Sequence, residues 1–405
     1  MAEMDAQRGR ETITRLLQKG VRMPNPESVT VDERVNPDRI SGRDVVIHPG
    51  CRIRGADTLI MPGARLGTDG PVTVEDVWIG PEVELAGGYF QEAVFLKGSK
   101  MGDGAHVRKG TLLEESAGGA HTVGLKQTIL FPFVTLGSLI NFCDVLMAGG
   151  TSRRDHGEVG SAYIHFNFTP NGDKATPSLL GDVPNGVMLN QRPIFLGGQG
   201  GLVGPCRLAF GTVTAAGTVW RKDELRPNRL LMDGGRKSGS LPYTPGMNAN
   251  LRKIVGNNVA YIGHLAALIR WYEQVRPIFG GDDLPEVLLA GARKQLRAAV
   301  EERLKRLGVF CRSAAAKPAL TKEWPEAESR LREAVNGVGE TALRDPFLEA
   351  VTEGVARNGR DYVTGIQGLA PETAETGVKW LQIVVDGVIA EARDKLPSVF
   401  GKADG

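Results

Sequence analysis

The chain has 405 residues with 49 Lys and Arg against 47 Asp and Glu, a formal net charge of +2, so its charge balance makes no case for nucleic acid or an anionic membrane as a partner. Gly is abundant at 53 residues and aromatics are scarce at 6%, which suits a fold with many tight corners. Cys51, Cys143, Cys206 and Cys311 are scattered without a C-x-x-C pair, so they read as reduced thiols and exclude a disulfide frame or a zinc site.

Residues 5–19 predict a short helix ending at Gly20, with Ile13, Leu16 and Leu17 on one face. It is too polar for a signal peptide, and no later span approaches the ~20 apolar residues that cross a bilayer. A cytoplasmic protein without a membrane partner is the expectation. Pro24, Pro26 and Pro37 make the rest of 1–43 an extended lead-in.

Over 44–226 the apolar residues recur every six positions: Ile47, Ile53 and Leu59; Ile60, Leu66 and Val72; Val203, Ala209 and Ala215. An aliphatic followed by Gly recurs as Ile79-Gly80, Met101-Gly102, Leu136-Gly137, Val159-Gly160 and Leu196-Gly197. A helix repeats apolar residues every three or four positions and a strand every second one. A period of six fits a chain that turns a corner every six residues, one aliphatic pointing inward per side. That is a mainly β fold, a left-handed parallel β-helix whose coils bury their apolar edges only by stacking on one another. The period breaks near Gly87–Tyr89 and over Ala148–Glu158, where loops are expected to leave one face.

Gly234, Gly235, Ser238, Gly239, Pro242 and Pro245 mark a linker over 227–246, and helical periodicity fills 247–405. Leu251, Ile254, Val255, Ile262, Leu265 and Ile269 form one stripe. Asp283 suits an N-cap, with Pro285 in the first turn of a helix closed by Gly308. Further helices are expected near 325–336, 345–357 and 371–395. This α-helical C-terminal region carries no chemical motif, and oligomerisation or capping of the solenoid end is its expected role.

The most specific segment runs from Val159-Gly160 through Ile164, Asn167, Phe168, Lys174 and Thr176 to Gly181-Asp182. It resembles the left-handed β-helix acetyltransferase domain of the bifunctional bacterial N-acetylglucosamine-1-phosphate uridyltransferases, which carries I-G-A-G-T-I-x-x-N-Y-D-G, then a Lys and a Thr, then I-G-D. A two-residue insertion lies inside the loop. Upstream, Arg108 in Val107–Glu114 resembles the family's R-x-G-x-x-L stretch, and Lys126 follows at the family's spacing. The resemblance implies that Arg108 and Lys126 bind a sugar phosphate, the Arg as a fork for its oxygens and the Lys as a point charge. It places Asn141 and Lys174 beside the substrate, and Asn167 and Phe168 near the acyl donor. It further implies acetyl-CoA as co-substrate, a nucleotide sugar such as UDP-N-acetylglucosamine or a hexosamine phosphate as ligand, and a homotrimer with sites between subunits.

Downstream, Gly197, Gly198, Ala215 and Ala216 resemble the small residues of the family's pantetheine groove, with Arg221 and Lys222 placed for nucleotide phosphates. Close coil packing explains these glycines equally well. Gly197 to Gly201 is no P-loop, because no Lys-Ser/Thr pair follows.

The family's catalytic His falls on Ser138, while Asp144 keeps the register. A Ser hydroxyl cannot act as the general base that deprotonates an amine. His156, beside Asp155 and Glu158, and His165, sharing a strand face with Tyr163 and Asn167, are the candidate substitutes. His48, His106, His121 and His264 read as surface or packing residues. The resemblance covers about 105–223, and by repeat pattern back to about 44. No Gly-rich uridylyltransferase loop is found, so nucleotidyl transfer has no residue in its favour. An acyltransferase and a non-catalytic sugar-nucleotide-binding or scaffold protein both remain, and they divide on acyl-CoA.

Overall fold

The computed structural model describes residues 2–169, 172–233, 250–313 and 316–401. It shows a parallel β-solenoid of about eleven turns followed by C-terminal helices. Lys100 pairs with Gly118 and Gly118 with Thr135, so one circuit is close to three six-residue sides. A first face stacks Arg52–Arg54, Val72–Glu75, Gly88–Gln91 and Ala105–Val107. A second stacks Leu59–Ile60, Trp78–Ile79, Ala93–Phe95 and Thr111–Leu113. The third runs from Val46–Ile47 through Lys100–Met101 and Thr135–Leu136 to Leu230–Leu231. The strands Gly124–Leu130 and Asn141–Met147 cross the first two faces without a break.

The period of six is the spacing of inward residues, but in the last coils its phase is one residue earlier than the sequence reading: Leu202, Leu208 and Thr214 are buried, while Val203, Ala209 and Ala215 are only half-buried. Leu66, Leu85, Met101, Leu136, Val159 and Leu196 line the inside of the third face, each 1% exposed or less. Between the third and first faces the chain turns through left-handed backbone at the same place in successive coils, at Gly104, Thr122, Leu139, Ala162, Gln199 and Gly217. The break expected near Gly87–Tyr89 does not occur: Gly88–Gln91 is a regular rung. Gly88 is there for close approach, since a Cβ would lie 2.8 Å from the Ala105 nitrogen. The break over 148–158 is real and forms a small hairpin, Gly150–Ser152 with Asp155–His156.

Among the described residues the α-helices are α1 (Ala2–Gln18), the short α2 (Val183–Gly186), α3 (Leu251–Arg270), α4 (Glu286–Cys311), α5 (Pro318–Ala334), α6 (Thr341–Asn358), α7 (Tyr362–Gln367), α8 (Pro371–Lys395) and the short α9 (Pro397–Phe400). Asp283 does not cap α4 but pairs with Lys97 at 2.6 Å. Nor does Gly308 end it; a Cβ there would meet the Trp324 indole Nε1 at 2.9 Å, so this glycine serves helix packing. The linker expected over 227–246 lies mostly outside the described residues, and its first part carries the rung Leu230–Leu231.

The helical half does not cap the solenoid end. It lies along the second face, whose strands Ala93–Phe95 and Thr111–Leu113 are buried on both sides. Strands buried on both sides read as continuous apolar runs, as Ala93-Val94-Phe95-Leu96 does. Helix α4 approaches so closely that a Cβ on Gly291 would lie 2.6 Å from the Trp78 indole. Gln295 Oε1 accepts from the Gly110 N–H at 3.1 Å and Lys294 pairs with Asp57 at 2.6 Å. No helix among the described residues is long and apolar enough to cross a membrane.

Candidate functional site

Strand alternation on the first face decides which side chains are available. Val107, Leu125, Phe142 and Leu202 point inward and are fully buried, while the residues on either side of them point out. The Arg108 N–H donates to Leu125 O at 2.9 Å and Lys126 lies opposite Cys143. Arg108 and Lys126 therefore stand on one outward line in consecutive coils, with Asn141 exposed two residues before Cys143.

Lys174 joins them. Burial is the main cause of a lowered Lys126 pKa, the Arg108 guanidinium is the next, and Lys174 adds to it, while Glu302 of α4 and Asp144 oppose. Among the described residues, none of these three cations has an ion-pair partner within 4.0 Å. Like charges set together without a directly paired carboxylate favour an anion. Cys143, beside them, is a packed thiol whose pKa burial pushes up, so it is no ready nucleophile.

Asp144 organises the floor beneath this cluster. Its Oδ1 accepts from the Arg303 guanidinium of α4 at 2.7 Å, and its Oδ2 from Asn167 Nδ2 at 3.3 Å. Thr176 Oγ1 donates to Asn167 O at 3.0 Å. Asn167 thus serves the local architecture. Phe168 is 68% exposed, edge-on to Phe166.

The two histidines singled out as bases lie elsewhere. His165 occupies the inward line of Val107, Leu125 and Phe142. It is 2% exposed, its Nε2 is 2.7 Å from Ser178 Oγ, and burial lowers its pKa to about 4. The face it shares with Tyr163 is the core face. His156 sits in the hairpin with Nδ1 2.9 Å from Arg153 O and Nε2 3.7 Å from Glu158. That hairpin precedes the third-face strand Glu158–Val159, whereas the cationic line follows the third face, so His156 stands at a different corner. Arg153 and Gln367 of α7 tie the hairpin down through Gly98 O and Thr151 O.

The corner between third and first faces holds the remaining predicted residues. Strand register places Gly137, Gly160, Gly197 and Ala215 in one line, and Ser138, Ser161, Gly198 and Ala216 in the next. A Cβ on Gly197 would lie 2.5 Å from Ala216 N, and one on Gly198 2.8 Å from Ser161 O. Arg221 lies beyond that corner, its Nη1 2.9 Å from Val219 O and 4.0 Å from Asp233. His121, read from the sequence as a surface or packing residue, is exposed at this corner. Its Nδ1 lies 2.8 Å from Ser138 Oγ, across a spacing of seventeen residues that becomes contact only once the coil length is known.

No family model matches the chain. It is 26% identical over 223 residues to the "Bifunctional protein GlmU" of Kineococcus radiotolerans, covering 55% of this chain and 40% of that protein. The protein of the same name from Pelobacter propionicus is 26% identical over 209 residues, 51% of this chain and 40% of the relative. That of Corynebacterium glutamicum is 23% identical over 237 residues, 58% of this chain and 44% of the relative. The chain therefore spans about two fifths of the length of the curated relatives it matches. Over rather more than half of its own length it resembles the β-helix acetyltransferase domain of the bifunctional N-acetylglucosamine-1-phosphate uridyltransferases.

Proposed function

We propose that this chain binds a sugar phosphate or nucleotide sugar on the first face and transfers an acyl group to it from acetyl-CoA. The observation that carries this reading is the line of Arg108 and Lys126, to which Lys174 adds its charge, with no carboxylate paired to any of them among the described residues. The phosphate oxygens take these three cations, and Asn141 meets the sugar. The acyl donor lies along the corner of Ser161, Gly198 and Ala216, where small residues leave the backbone open. Three coil steps separate Ser138 from the coil of Arg221, about 14 Å at the usual strand spacing. An extended pantetheine arm spans that distance and brings the nucleotide phosphates to Arg221 and Lys222. The subunits assemble as a homotrimer, in keeping with the resemblance.

Calorimetric titration with glucosamine 1-phosphate, UDP-N-acetylglucosamine and acetyl-CoA tests the reading. Arg108→Ala or Lys126→Ala weakens the sugar ligand by about 1.5–3 kcal/mol, the scale of a charge-assisted hydrogen bond. Unchanged affinity removes both residues from the site. A second reading keeps the anion site and drops the chemistry, and Ser138 at the position of the family's His favours it. Sugar-ligand binding without acetyl-CoA binding selects that second reading.

A further inference from the structure

We infer that His121 is the proton acceptor of the transfer, delivered from the coil before Ser138 and held in place by the Ser138 hydroxyl. This rests on the acyl-transfer reading above. The register of the third face puts Asp103, His121, Ser138, Ser161, Gly198 and Ala216 on one line at the corner. Adjacent coils are about 4.8 Å apart, so an imidazole whose Nδ1 is 2.8 Å from Ser138 Oγ leans across the gap toward the next coil. The Ser138 N–H is itself bound to Ser161 Oγ at 3.1 Å, which fixes the backbone that carries the hydroxyl.

A serine hydroxyl accepts as well as donates. When His121 Nδ1–H donates to Ser138 Oγ, the lone pair is on Nε2, and the ring keeps one orientation. His121 is exposed, so that nitrogen is open to a ligand. The other histidines stand elsewhere: His48 is half-buried in the first coils, its N–H bound to Leu66 O, far along the solenoid from Ser138. His165 is in the core, and His264 is buried with its Nδ1 accepting from Val183 N. His156 is at another corner, and the His106 ring lies against Tyr89, 5.4 Å between centroids. Ser138 is a positioning residue, and its loss of basicity relative to a His is made up by the imidazole one coil away.

The step balances without a further reactant. The acceptor amine, as free base, attacks the thioester carbonyl carbon and a C–N bond forms. The tetrahedral adduct then collapses with cleavage of the C–S bond. The amine proton passes to His121 Nε2 and from there to the departing thiolate, leaving an amide and a thiol with the enzyme in its starting protonation state. Small backbone-lined residues at the same corner give the thioester a place beside that nitrogen.

The test is thiol release from acetyl-CoA with glucosamine 1-phosphate and other amino-sugar phosphates as acceptors. His121→Ala and His121→Asn lower kcat by roughly 10²–10⁴-fold, the range of a general base, with acetyl-CoA affinity unchanged. Free imidazole restores part of the His121→Ala rate. Ser138→Ala loses about tenfold in kcat with KM unaltered, the scale of one hydrogen bond, and Ser138→Thr, which keeps the hydroxyl, recovers it. His106→Asn turns over like the parent protein. Full activity in both His121 variants, or loss in His106→Asn instead, overturns the inference and leaves the transfer reading standing. No thiol release by the parent protein with any amino-sugar phosphate overturns both.

Discussion

Arg303 and Asp144 stand 159 positions apart and form an ion pair at 2.7 Å, with 2% and 6% of their side chains exposed. The pair fastens α4 to the coil that carries Asn141 and Cys143, and through Asp144 it also holds Asn167. Removing one partner of a buried pair leaves an uncompensated charge and costs about 3–5 kcal/mol. Arg303→Ala is expected to lose that much in a denaturant titration. The double change Arg303→Met with Asp144→Asn should lose much less stability, because no buried charge remains. Equal losses in the two proteins would show that packing rather than charge holds α4 there.

A second buried cluster gives the fold a dependence on pH. Glu114 lies between the second face and the helices, its Oε1 accepting from Tyr272 Oη at 2.5 Å. Arg276 pairs with Glu115 and stacks on Tyr362, 3.7 Å from the ring centroid. Burial raises the Glu114 pKa from 4.5 to about 7, with Arg276 opposing and Glu115 adding. The folded state thus binds this proton more tightly than the unfolded one. Its contribution to stability is fully present below the ordinary carboxylate value and is lost as pH rises through about 7. Glu114→Gln should flatten that part of a Tm-against-pH curve; a slope identical to the parent's would assign it to other groups.

His165 and His264 work in the opposite sense. Burial lowers them from 6.5 to about 4 and about 3, so the unfolded state binds their protons more readily. Stability is present above the ordinary value and falls as pH drops from 6.5 toward the folded values. His165→Gln, neutral at every pH and able to bond Ser178, is expected to lessen acid sensitivity in thermal melts without touching thiol release. A large fall in turnover with acetyl-CoA binding intact would return His165 to the reaction.

The corner glycines divide into two kinds. A Cβ on Gly197 meets backbone atoms of Ala215 and Ala216, so Gly197→Ala must push coils apart, at about 1–3 kcal/mol, and should weaken acetyl-CoA binding. Gly217 has nothing within 4 Å of its Cβ position and a φ of +75°. Gly217→Ala bears only the left-handed backbone strain of about 1–2 kcal/mol. Differential scanning calorimetry with parallel acetyl-CoA titrations separates them: both lose stability, and only Gly197→Ala loses affinity.

The solenoid was legible because its period is local: Ile47 to Ile53 to Leu59 needs six residues of context. That Arg108 and Lys126 share one outward line was legible for the same reason, since they stand one coil apart. His165 was misplaced because alternation reveals that Tyr163, His165 and Asn167 share a face but not which face; its line with Leu125 and Phe142 settles that. The His121–Ser138 contact requires the coil length to the residue. Arg303 could not be placed at all, because nothing local distinguishes an arginine bound to its own helix from one reaching a coil 159 positions away.

The strands Gly124–Leu130 and Asn141–Met147 cross two faces in one run, and these are the coils that carry Lys126 and Asn141. A bend that elsewhere interrupts the ladder is here hydrogen-bonded on both sides of Gln127 and Asp144, at φ of +50° and +65°. On the proposed reading, a ligand arriving at this place meets a surface whose shape is already fixed. Little ordering entropy is then lost on binding, and discrimination between ligands rests on where their charges fall against immobile cations rather than on a loop that closes around them.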